Sequence, residues 1–276
     1  MVQLRVMLWD LRNGGDRKLP LLERVNADIL LLLGVSRTSA RKWSHRWQDR
    51  YHCAVGLDLV PSPQRRPHGA MIAARWPLGG IAVIEQLPRP ERGLTATVVV
   101  GGRELALVSW GTPNAAGEGF PAKMGAYRHM SDWLSTLAGP AIVGVDTNSR
   151  FDPPDADTTV GCDELRAAEH AFLGRDASHG LLDVYRALID ADPHRRRLLA
   201  DLRPDGPLAT TFIRRPHYEP RRIARGFDAG RNFGLDRMDR IFVSTQVTPL
   251  ACEHLYHEAV DLGGDHAAVI ADLVVT

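Results

Sequence analysis

Short apolar runs bounded by turn residues recur along the whole chain. In chain order they are LRVML, DILLLL, GAMIAA, TATVVV, ELALVSW, AIVGV, RIFVS and AAVIADLVV. Runs of this length, rich in β-branched residues, predict strands. Because several of them are apolar at almost every position, we expect both faces of the strands to be covered.

The segments between these runs predict turns and helices. Gly101 and Gly102 separate two apolar runs, which is typical of a hairpin. Apolar residues spaced by three and four positions predict a helix over Lys123 to Leu137 and a shorter one over Leu19 to Val25. Further helices are predicted over Cys162 to Leu173 and Leu182 to Asp190.

This order of elements predicts an α/β protein, and specifically a four-layer α/β sandwich with two mixed β-sheets packed face to face and helices outside. A composition of 44% hydrophobic and 24% charged residues is that of a globular protein with a large core. We expect residues 1–276 to form a single domain. No apolar stretch is long enough to cross a bilayer, so we expect no membrane partner.

Net charge and cysteine spacing bear on the cellular location of the protein, but they do not identify its ligand. A formal net charge of +1 provides no strong attraction to nucleic acid over the whole molecule, so any preference for polyanions must come from local clusters. The cysteines Cys53, Cys162 and Cys252 are far apart and have no metal-binding spacing. Together with an amino-terminal segment that resembles a strand rather than a signal peptide, this favours a cytoplasmic location.

One segment, Arg214 to Leu235, is rich in arginine, glycine and proline and predicts a long loop. Such loops often lie over functional sites. We expect Arg221 and Arg222 in this loop to contact an anionic or aromatic ligand. The alternative is a solvated basic loop with no ligand.

Polar residues stand repeatedly where apolar runs begin or end. They are Asp10, Asp146 with Asn148, Asp239, and Asp265 with His266. If these strand ends meet at one rim of the sandwich, their carboxylates and imidazole could hold a metal ion and a water molecule. Taken singly, each has an ordinary alternative, such as an Asx turn at Asp146 or a solvated histidine at His266.

The succession of these motifs resembles a known superfamily. The segments AIVGVDTN, HGLLDVYR, TTF, LDRMDRIFVS and GGDHAAVIADLVV are similar in order and spacing to the downstream half of the endonuclease/exonuclease/phosphatase superfamily, which includes abasic-site endonucleases and pancreatic-type deoxyribonucleases. The upstream segments VMLWDLRNGG, ADILLLLGVS, HGAMIAAR and LVSWGTPNAAG resemble the upstream half more loosely. The resemblance covers nearly the whole chain and implies the same sandwich fold.

The resemblance also implies roles for single residues. His266 would be the catalytic imidazole near the scissile phosphate, with Asp239 as the carboxylate that orients it. Asp146 would orient or deprotonate the attacking water, and Asn148 would donate a hydrogen bond to the phosphoryl group. Asn114 matches a phosphate-contacting position of abasic-site enzymes.

Three positions depart from the pattern of the superfamily. Gly34 stands where a glutamate usually binds magnesium, and Asp10 stands where an asparagine is usual. Trp110 aligns with a phosphate-binding histidine, with one residue of uncertainty, and would offer a stacking face to a different substrate. Since Asp10 restores one carboxylate, a shifted Mg²⁺ or Mn²⁺ ion could be held by Asp10 and Asp265. Gly34→Glu would then strengthen metal binding.

The sequence therefore supports a divalent-cation-dependent phosphoesterase acting on nucleic acid or on a small phosphorylated molecule. One alternative is a repurposed fold that binds or converts another ligand without the usual magnesium site, as Gly34 and Trp110 suggest. A catalytically inactive binding module is a further alternative. It is disfavoured because such a module has no chemical need for Asp239, Asp265 and His266 together.

Overall fold

The apolar runs form the strands of two mixed six-stranded sheets in the computed structural model, which describes residues 1–12, 15–60, 67–149, 163–202, 212–213 and 235–276. The first sheet contains, in spatial order, β13 (Val247–Leu255), β14 (Ala268–Val275), β1 (Val2–Asp10), β2 (Ile29–Ser36), β4 (His68–Ala74) and β3 (His52–Val55). The second contains β5 (Gly79–Val83), β6 (Gly93–Val100), β7 (Arg103–Gly111), β8 (Ala141–Asp146), β12 (Asp239–Val243) and β9 (Leu182–Asp183). A separate short pair joins β10 (Phe212–Ile213) to β11 (Leu235–Asp236).

The two sheets share one pattern of strand directions. Each has a parallel pair at its centre, β1 with β2 and β7 with β8. On either side of each pair the neighbouring strand is antiparallel, β14 and β4 in the first sheet and β12 and β6 in the second. The carboxyl ends of the central strands and the amino ends of their neighbours therefore meet at one rim.

Three apolar clusters account for the four layers. One cluster joins the inner faces of the two sheets, with Leu8 and Leu31 from the first and Leu107 and Ile142 from the second. A second cluster packs the outer face of the first sheet against helices, and a third does the same for the second sheet. The predicted sandwich with flanking helices is confirmed.

The helices lie between the strands in chain order. They are α1 (Leu19–Val25), α2 (Arg37–Arg46), α3 (Gly56–Leu59), α4 (Ala115–Glu118), α5 (Phe120–Ser135), α6 (Asp163–Leu173), α7 (Val184–Ala191), α8 (Pro193–Leu202) and α9 (Tyr256–Asp261). The predicted hairpin is present between β6 and β7, with positive φ at Gly101 and Gly102. The helix predicted from Leu182 begins two residues later, because Leu182–Asp183 forms β9. Within the described residues, no helix is long and apolar enough to span a membrane.

Candidate active site

One rim of the sandwich brings together polar strand ends from both sheets. In the first sheet the start of β14 lies beside the end of β1, with Val269 paired to Leu8. In the second sheet Asp239, the first residue of β12, pairs with Asp146, the last residue of β8. Carboxylates that are distant in sequence therefore become neighbours at this rim.

His266 and Asp239 form a fully buried pair beneath the rim. The Nδ1 atom of His266 lies 2.9 Å from Oδ2 of Asp239, and both side chains are 0% exposed. Burial by itself lowers the pKa of His266, but the carboxylates of Asp239, Asp10 and Asp146 outweigh it and raise the pKa to about 10. The surrounding carboxylates therefore favour the protonated imidazole, and Asp239 fixes the position of the ring.

Asp146 begins a tight turn at the end of β8. The main-chain N–H of Asn148 donates to Asp146 Oδ1 at 3.0 Å, and the side-chain amide of Asn148 donates to Asp146 Oδ2 at 2.8 Å and to the carbonyl of Thr112 at 2.9 Å. Both amide hydrogens of Asn148 are thus used within the protein, so the predicted bond to a phosphoryl group is not preformed. Burial raises the pKa of Asp146 to about 7, with the nearby Asp239 carboxylate acting in the same direction and His266 opposing.

A buried polar network supports this turn from behind. Lys123 in α5 donates to the carbonyl of Asn148 at 2.8 Å and forms an ion pair with Glu169 of α6 at 3.0 Å. The hydroxyl of Tyr127 donates to the carbonyl of Thr147 at 2.5 Å. Asn148 has a left-handed backbone with φ of 46°. These contacts hold a conformation that few residues other than glycine adopt.

Gly34, Asp10 and Arg12 form one compact unit at the end of β1. Gly34 lies in an irregularity of β2, where the register with β4 shifts between Leu32 and Val35, and its φ is 63°. A Cβ atom at position 34 would lie 2.5 Å from Asp10 Oδ1 and 2.7 Å from the main-chain nitrogen of Arg12. The space that a larger residue would need is therefore filled by the Asp10 carboxylate and by the Arg12 backbone. A glutamate at position 34 would displace Asp10 and Arg12, so these distances argue against the expected gain in metal binding by Gly34→Glu.

Asp265 is held by an arginine. Arg12 Nη1 lies 2.7 Å from Asp265 Oδ2, and the Asp265 side chain is 9% exposed. The main-chain N–H of Arg12 donates to Asp10 Oδ1 at 2.8 Å. The carboxylate predicted to share a metal ion with Asp10 is thus engaged with a guanidinium, which carries a positive charge of its own.

Another set of side chains fits a metal ion better. Ligand atoms of Asp10, Asp146 and His266 all lie within 4.8 Å of one another. Burial alone raises the pKa of Asp10, but the charge of His266 and the hydrogen bond from Arg12 reverse this effect and lower it. Two adjacent carboxylate groups, one ionised and one with a pKa raised by burial, match the oxygen ligands that Mg²⁺ and Mn²⁺ prefer. The donor set therefore fits a divalent cation centred on Asp10 and Asp146.

A cleft of about 390 Å³ opens above these groups. Its lining combines the carboxylates Asp10 and Asp146 with the basic side chains of Arg12, His68 and Arg92. Burial and the charge of Arg92 lower the pKa of His68. Positive charge in the lining therefore comes from Arg12 and Arg92, close to the two carboxylates, which suits an anionic ligand held beside a cation.

Comparison with known proteins identifies the fold. No protein-family model matches the sequence, and no curated protein matches it. Among solved structures, an AP endonuclease from Archaeoglobus fulgidus superposes with a TM-score of 0.67 at 16% identity, covering 99% of each chain. The 3' phosphatase NExo from Neisseria, bound to a product DNA hairpin, superposes with a TM-score of 0.64 at 18% identity, covering 97% of this chain and 98% of that one. D. rerio TDP2 in complex with a single-strand DNA product has a TM-score of 0.64 at 14% identity over all of both chains.

The chain has the endonuclease/exonuclease/phosphatase fold. The resemblance inferred from the order of the motifs is thereby confirmed at the level of fold. In the sandwich of this chain, Asp10, Asp146, Asn148 and Asn114 line the cleft. His266 lies beneath them and does not reach the surface.

Trp110 does not take part in the cleft. Its side chain is 1% exposed and packs edge to face against Tyr127 and Phe172 in the core. Since side chains alternate along a strand, Trp110 and its neighbour Gly111 point to opposite faces of β7, and Gly111 lines the cleft. The predicted substrate contact of Trp110 is therefore wrong, and its neighbour Gly111, which lines the cleft, has no side-chain donor.

The sequence pattern did not predict three basic residues of the cleft, and it predicted two arginines of the long loop as ligand contacts. Arg221 and Arg222 lie outside the described residues. Arg12, His68 and Arg92 were not proposed, although each lies directly beside the rim end of a strand, at β1, β4 and β6. The same signal that singled out Asp10 and Asp146 was therefore available for them.

Proposed function

We propose that the chain is a divalent-cation-dependent phosphoesterase whose reaction takes place in the rim cleft. The observation that carries the proposal is the buried pair of His266 and Asp239, in which ligand atoms of His266 lie within 4.8 Å of those of Asp10 and Asp146. Buried acids, a charged imidazole and an open cleft at one rim are the elements of hydrolysis at phosphorus.

Asp146 acts on the nucleophile in this proposal. A general base works best when its pKa lies near the working pH, and burial raises the pKa of Asp146 to about 7. Asp146 orients the attacking water and accepts its proton. The two hydrogen bonds from Asn148 fix the carboxylate while this happens. Asn148 reaches a phosphoryl oxygen only if it gives up one of its bonds inside the protein.

His266 provides fixed positive charge beneath the reacting phosphorus. Asp239 binds Nδ1 and fixes the ring orientation, so the other nitrogen points away from Asp239. A buried imidazolium stabilises the negative charge that develops on the phosphoryl oxygens. Because the ring is buried, it does so from below the carboxylates.

Asp10 and Asp146 would hold the cation, with Mg²⁺ and Mn²⁺ as the candidate ions. When bound, it would polarise the phosphoryl oxygen and the leaving oxygen. Asp265 contributes through Arg12 rather than as a ligand in this arrangement. Asp10 at the end of β1 is thus the principal ligand, in place of the glutamate that the superfamily pattern has on β2, at the position of Gly34.

The substrate is a phosphate ester, either in nucleic acid or in a small molecule. Support for nucleic acid comes from the neighbours in fold, since NExo and TDP2 are described with bound DNA products. The net charge of +1 gives no long-range preference and leaves both substrate classes open.

A second candidate function is ligand binding or conversion without a divalent cation. It is favoured by one observation, the ion pair between Arg12 and Asp265, which places a protein cation beside the proposed metal ligands. In this case phosphate recognition would rest on the basic lining of the cleft alone.

Calorimetric titration of Mn²⁺ and Mg²⁺, beside hydrolysis assays, tests the proposal. The assays use bis-(p-nitrophenyl) phosphate, p-nitrophenyl phosphate and an oligonucleotide with a 3' phosphate. We expect cation binding and turnover to be lost together in Asp10→Asn and kept in Asp16→Asn, whose exposed carboxylate pairs with Lys42. Absence of cation binding up to millimolar concentrations would exclude the proposal, and turnover in the presence of a chelator would select the second candidate.

A further inference from the structure

Arg12 lies where the cleft passes from acidic to basic. It lies two residues after β1 and lines the cleft beside Asp10, and its side chain is 39% exposed while that of its partner Asp265 is 9% exposed. The carboxylate of Asp265 is therefore the buried member of the pair, and the guanidinium is the member that faces solvent. A pair arranged in this way presents an oriented cation to the cleft.

The backbone at Arg12 is held in an unusual conformation. Its φ is 35°, in the left-handed region that residues other than glycine seldom occupy. The N–H of Arg12 donates to Asp10, and Gly34 leaves the space in which this turn fits. Strain of this kind is retained where the surrounding structure enforces it, commonly at ligand sites. Gly34 and Asp10 thus position Arg12 in addition to altering the metal site.

We propose that Arg12 is a substrate-binding residue whose guanidinium, oriented by Asp265, binds the phosphate group of the ester. This inference rests on the proposed function and assigns the phosphate-binding residue of the same cleft. A guanidinium offers five N–H donors in a planar fork and matches two oxygens of one phosphate. Arg12 Nη1 donates to Asp265 Oδ2 at 2.7 Å, and this bond fixes the orientation of the guanidinium plane.

A neighbouring arginine is arranged differently and explains why Arg12 is singled out. Arg92 also lines the cleft, but Glu118 lies 3.4 Å from it and 2.8 Å from Arg89. That group is a half-buried network in which one carboxylate is shared by two arginines. Arg12, by contrast, is adjacent to the proposed cation ligand Asp10 through its own main chain.

An arginine within β1 provides a matched control. Arg5 pairs with Asp272 of β14 at 2.8 Å and is the cross-strand neighbour of that residue. It has the same partner type and a similar distance, but it lies within the paired strands rather than beyond their ends, and it is not part of the cleft lining. Arg5→Gln therefore removes an arginine–aspartate pair without touching the cleft.

The test is binding of inorganic phosphate, measured by calorimetry once in the presence of a chelator and once in the presence of Mn²⁺. Loss of one charge-assisted contact predicts that Arg12→Gln raises the Kd for phosphate by at least about tenfold in both conditions. Arg5→Gln should leave the Kd unchanged, and Mn²⁺ binding should persist in both variants. Thermal unfolding of both variants verifies that each remains folded.

Asp265→Asn separates the two members of the pair. It keeps the guanidinium and removes only the group that orients it, so phosphate binding should weaken less than in Arg12→Gln. A larger loss in Asp265→Asn overturns the proposal, as does an unchanged Kd in Arg12→Gln or a parent protein that binds no phosphate at about 10 mM. Failure of the proposed function alone gives a different result. The protein then shows neither Mn²⁺ binding nor turnover, but it still binds phosphate, and Arg12→Gln still weakens that binding.

Discussion

Two buried clusters of charged side chains take residues from the same short segment, residues 237–240, yet they differ in composition and position. The arginine cluster consists of Asp183, Arg237 and Arg240. The rim cluster consists of Asp10, Asp146, Asp239 and His266. Neighbouring positions of one segment thus serve two separate electrostatic environments.

The arginine cluster is built from short ion pairs. Asp183 Oδ2 lies 2.6 Å from Arg237 Nη2 and 3.3 Å from Arg240 Nη1, and Asp183 also caps α7 by accepting from the N–H of Arg186. Burial opposes ionisation, but the guanidiniums outweigh it and hold the pKa of Asp183 well below its usual range. None of its three members lines the rim cleft. We infer that it joins β9 and α7 to β12.

The rim cluster gathers carboxylates around a single imidazole. Its pKa values move apart, with Asp10 lowered, Asp146 raised to about 7 and His266 raised to about 10. Clustered titratable groups whose pKa values are shifted in opposite directions are typical of functional sites. Ion-pair networks such as the arginine cluster also shift pKa values, but they can serve only to stabilise the fold. The comparison indicates that the arrangement of charge, more than burial, separates a candidate site from a structural one.

The largest expected effect comes from opening the arginine cluster. Asp183→Asn leaves two buried guanidiniums without their carboxylate and should lower the free energy of unfolding by about 3–5 kcal/mol. Denaturant unfolding measures this change. Asp190→Asn is the control, since Asp190 joins partly exposed arginines at the surface and should contribute less than about 1 kcal/mol. Equal effects of the two variants would contradict a stabilising role for the cluster.

The same variant predicts a pH dependence with a defined sign. The folded pKa of Asp183 lies below its ordinary value of 3.8, so the unfolded chain binds the proton more readily. The stability contributed by Asp183 is therefore present above the ordinary pKa and is lost as pH falls below it. The difference in unfolding free energy between the parent and Asp183→Asn should be steady from about pH 5 to about pH 8 and shrink below about pH 4.

A substitution in the rim cluster should affect turnover more than stability. His266→Ala removes the charge beneath the reacting phosphorus and should lower kcat by about a thousandfold, or about 4 kcal/mol. Its unfolding free energy should fall less than that of Asp183→Asn, because carboxylates beside the cleft can take up protons when the imidazole is lost. A variant that retains full turnover would exclude the catalytic role of His266.

A smaller effect is expected at Gly34. Gly34→Ala places a Cβ against Asp10 and Arg12 and should cost about 1–3 kcal/mol of stability while weakening Mn²⁺ and phosphate binding. Gly102→Ala is the matched control, since Gly102 has φ of 80° and nothing within 4 Å of an added Cβ. It shows the cost of positive φ alone. Equal Mn²⁺ binding by the two variants would contradict this prediction, because contact of the added Cβ with Asp10 and Arg12 would then not affect the proposed metal site.

The smallest effect concerns the support of the Asp146 turn. Tyr127→Phe removes the bond to the Thr147 carbonyl and should cost about 0.5–1.5 kcal/mol of stability and lower kcat by up to about tenfold. Tyr51→Phe removes an equivalent buried bond, to Ala27 at 2.6 Å, far from the rim. It should cost similar stability and leave kcat unchanged. A parallel loss of kcat in both variants would show that only general stability is involved.

The sequence by itself determined the central strands and missed the edges. All eight apolar runs lie in strands of the two sheets, namely β1, β2, β4, β6, β7, β8, β12 and β14. Within the two six-stranded sheets, the four strands that were not predicted, β3, β5, β9 and β13, are the edges. Edge strands are short or partly exposed, as in β5, or interrupted, as at Pro249 in β13. They lack the continuous apolar pattern because only one side of them is covered.

The candidate site divides in the same way. The positions of strand ends and the order of motifs were enough to propose Asp10, Asp146, Asp239 and His266. A polar residue next to an apolar run is visible in the sequence, because the run itself marks where a buried strand begins or ends. Tertiary structure alone decided that Asp265 binds Arg12, that Trp110 points into the core, and that Arg237 and Arg240 join Asp183. These contacts depend on strand order, on side-chain alternation and on the irregularity of β2 at Gly34. Each is set by packing between segments far apart in the chain, which a local pattern of residues does not encode.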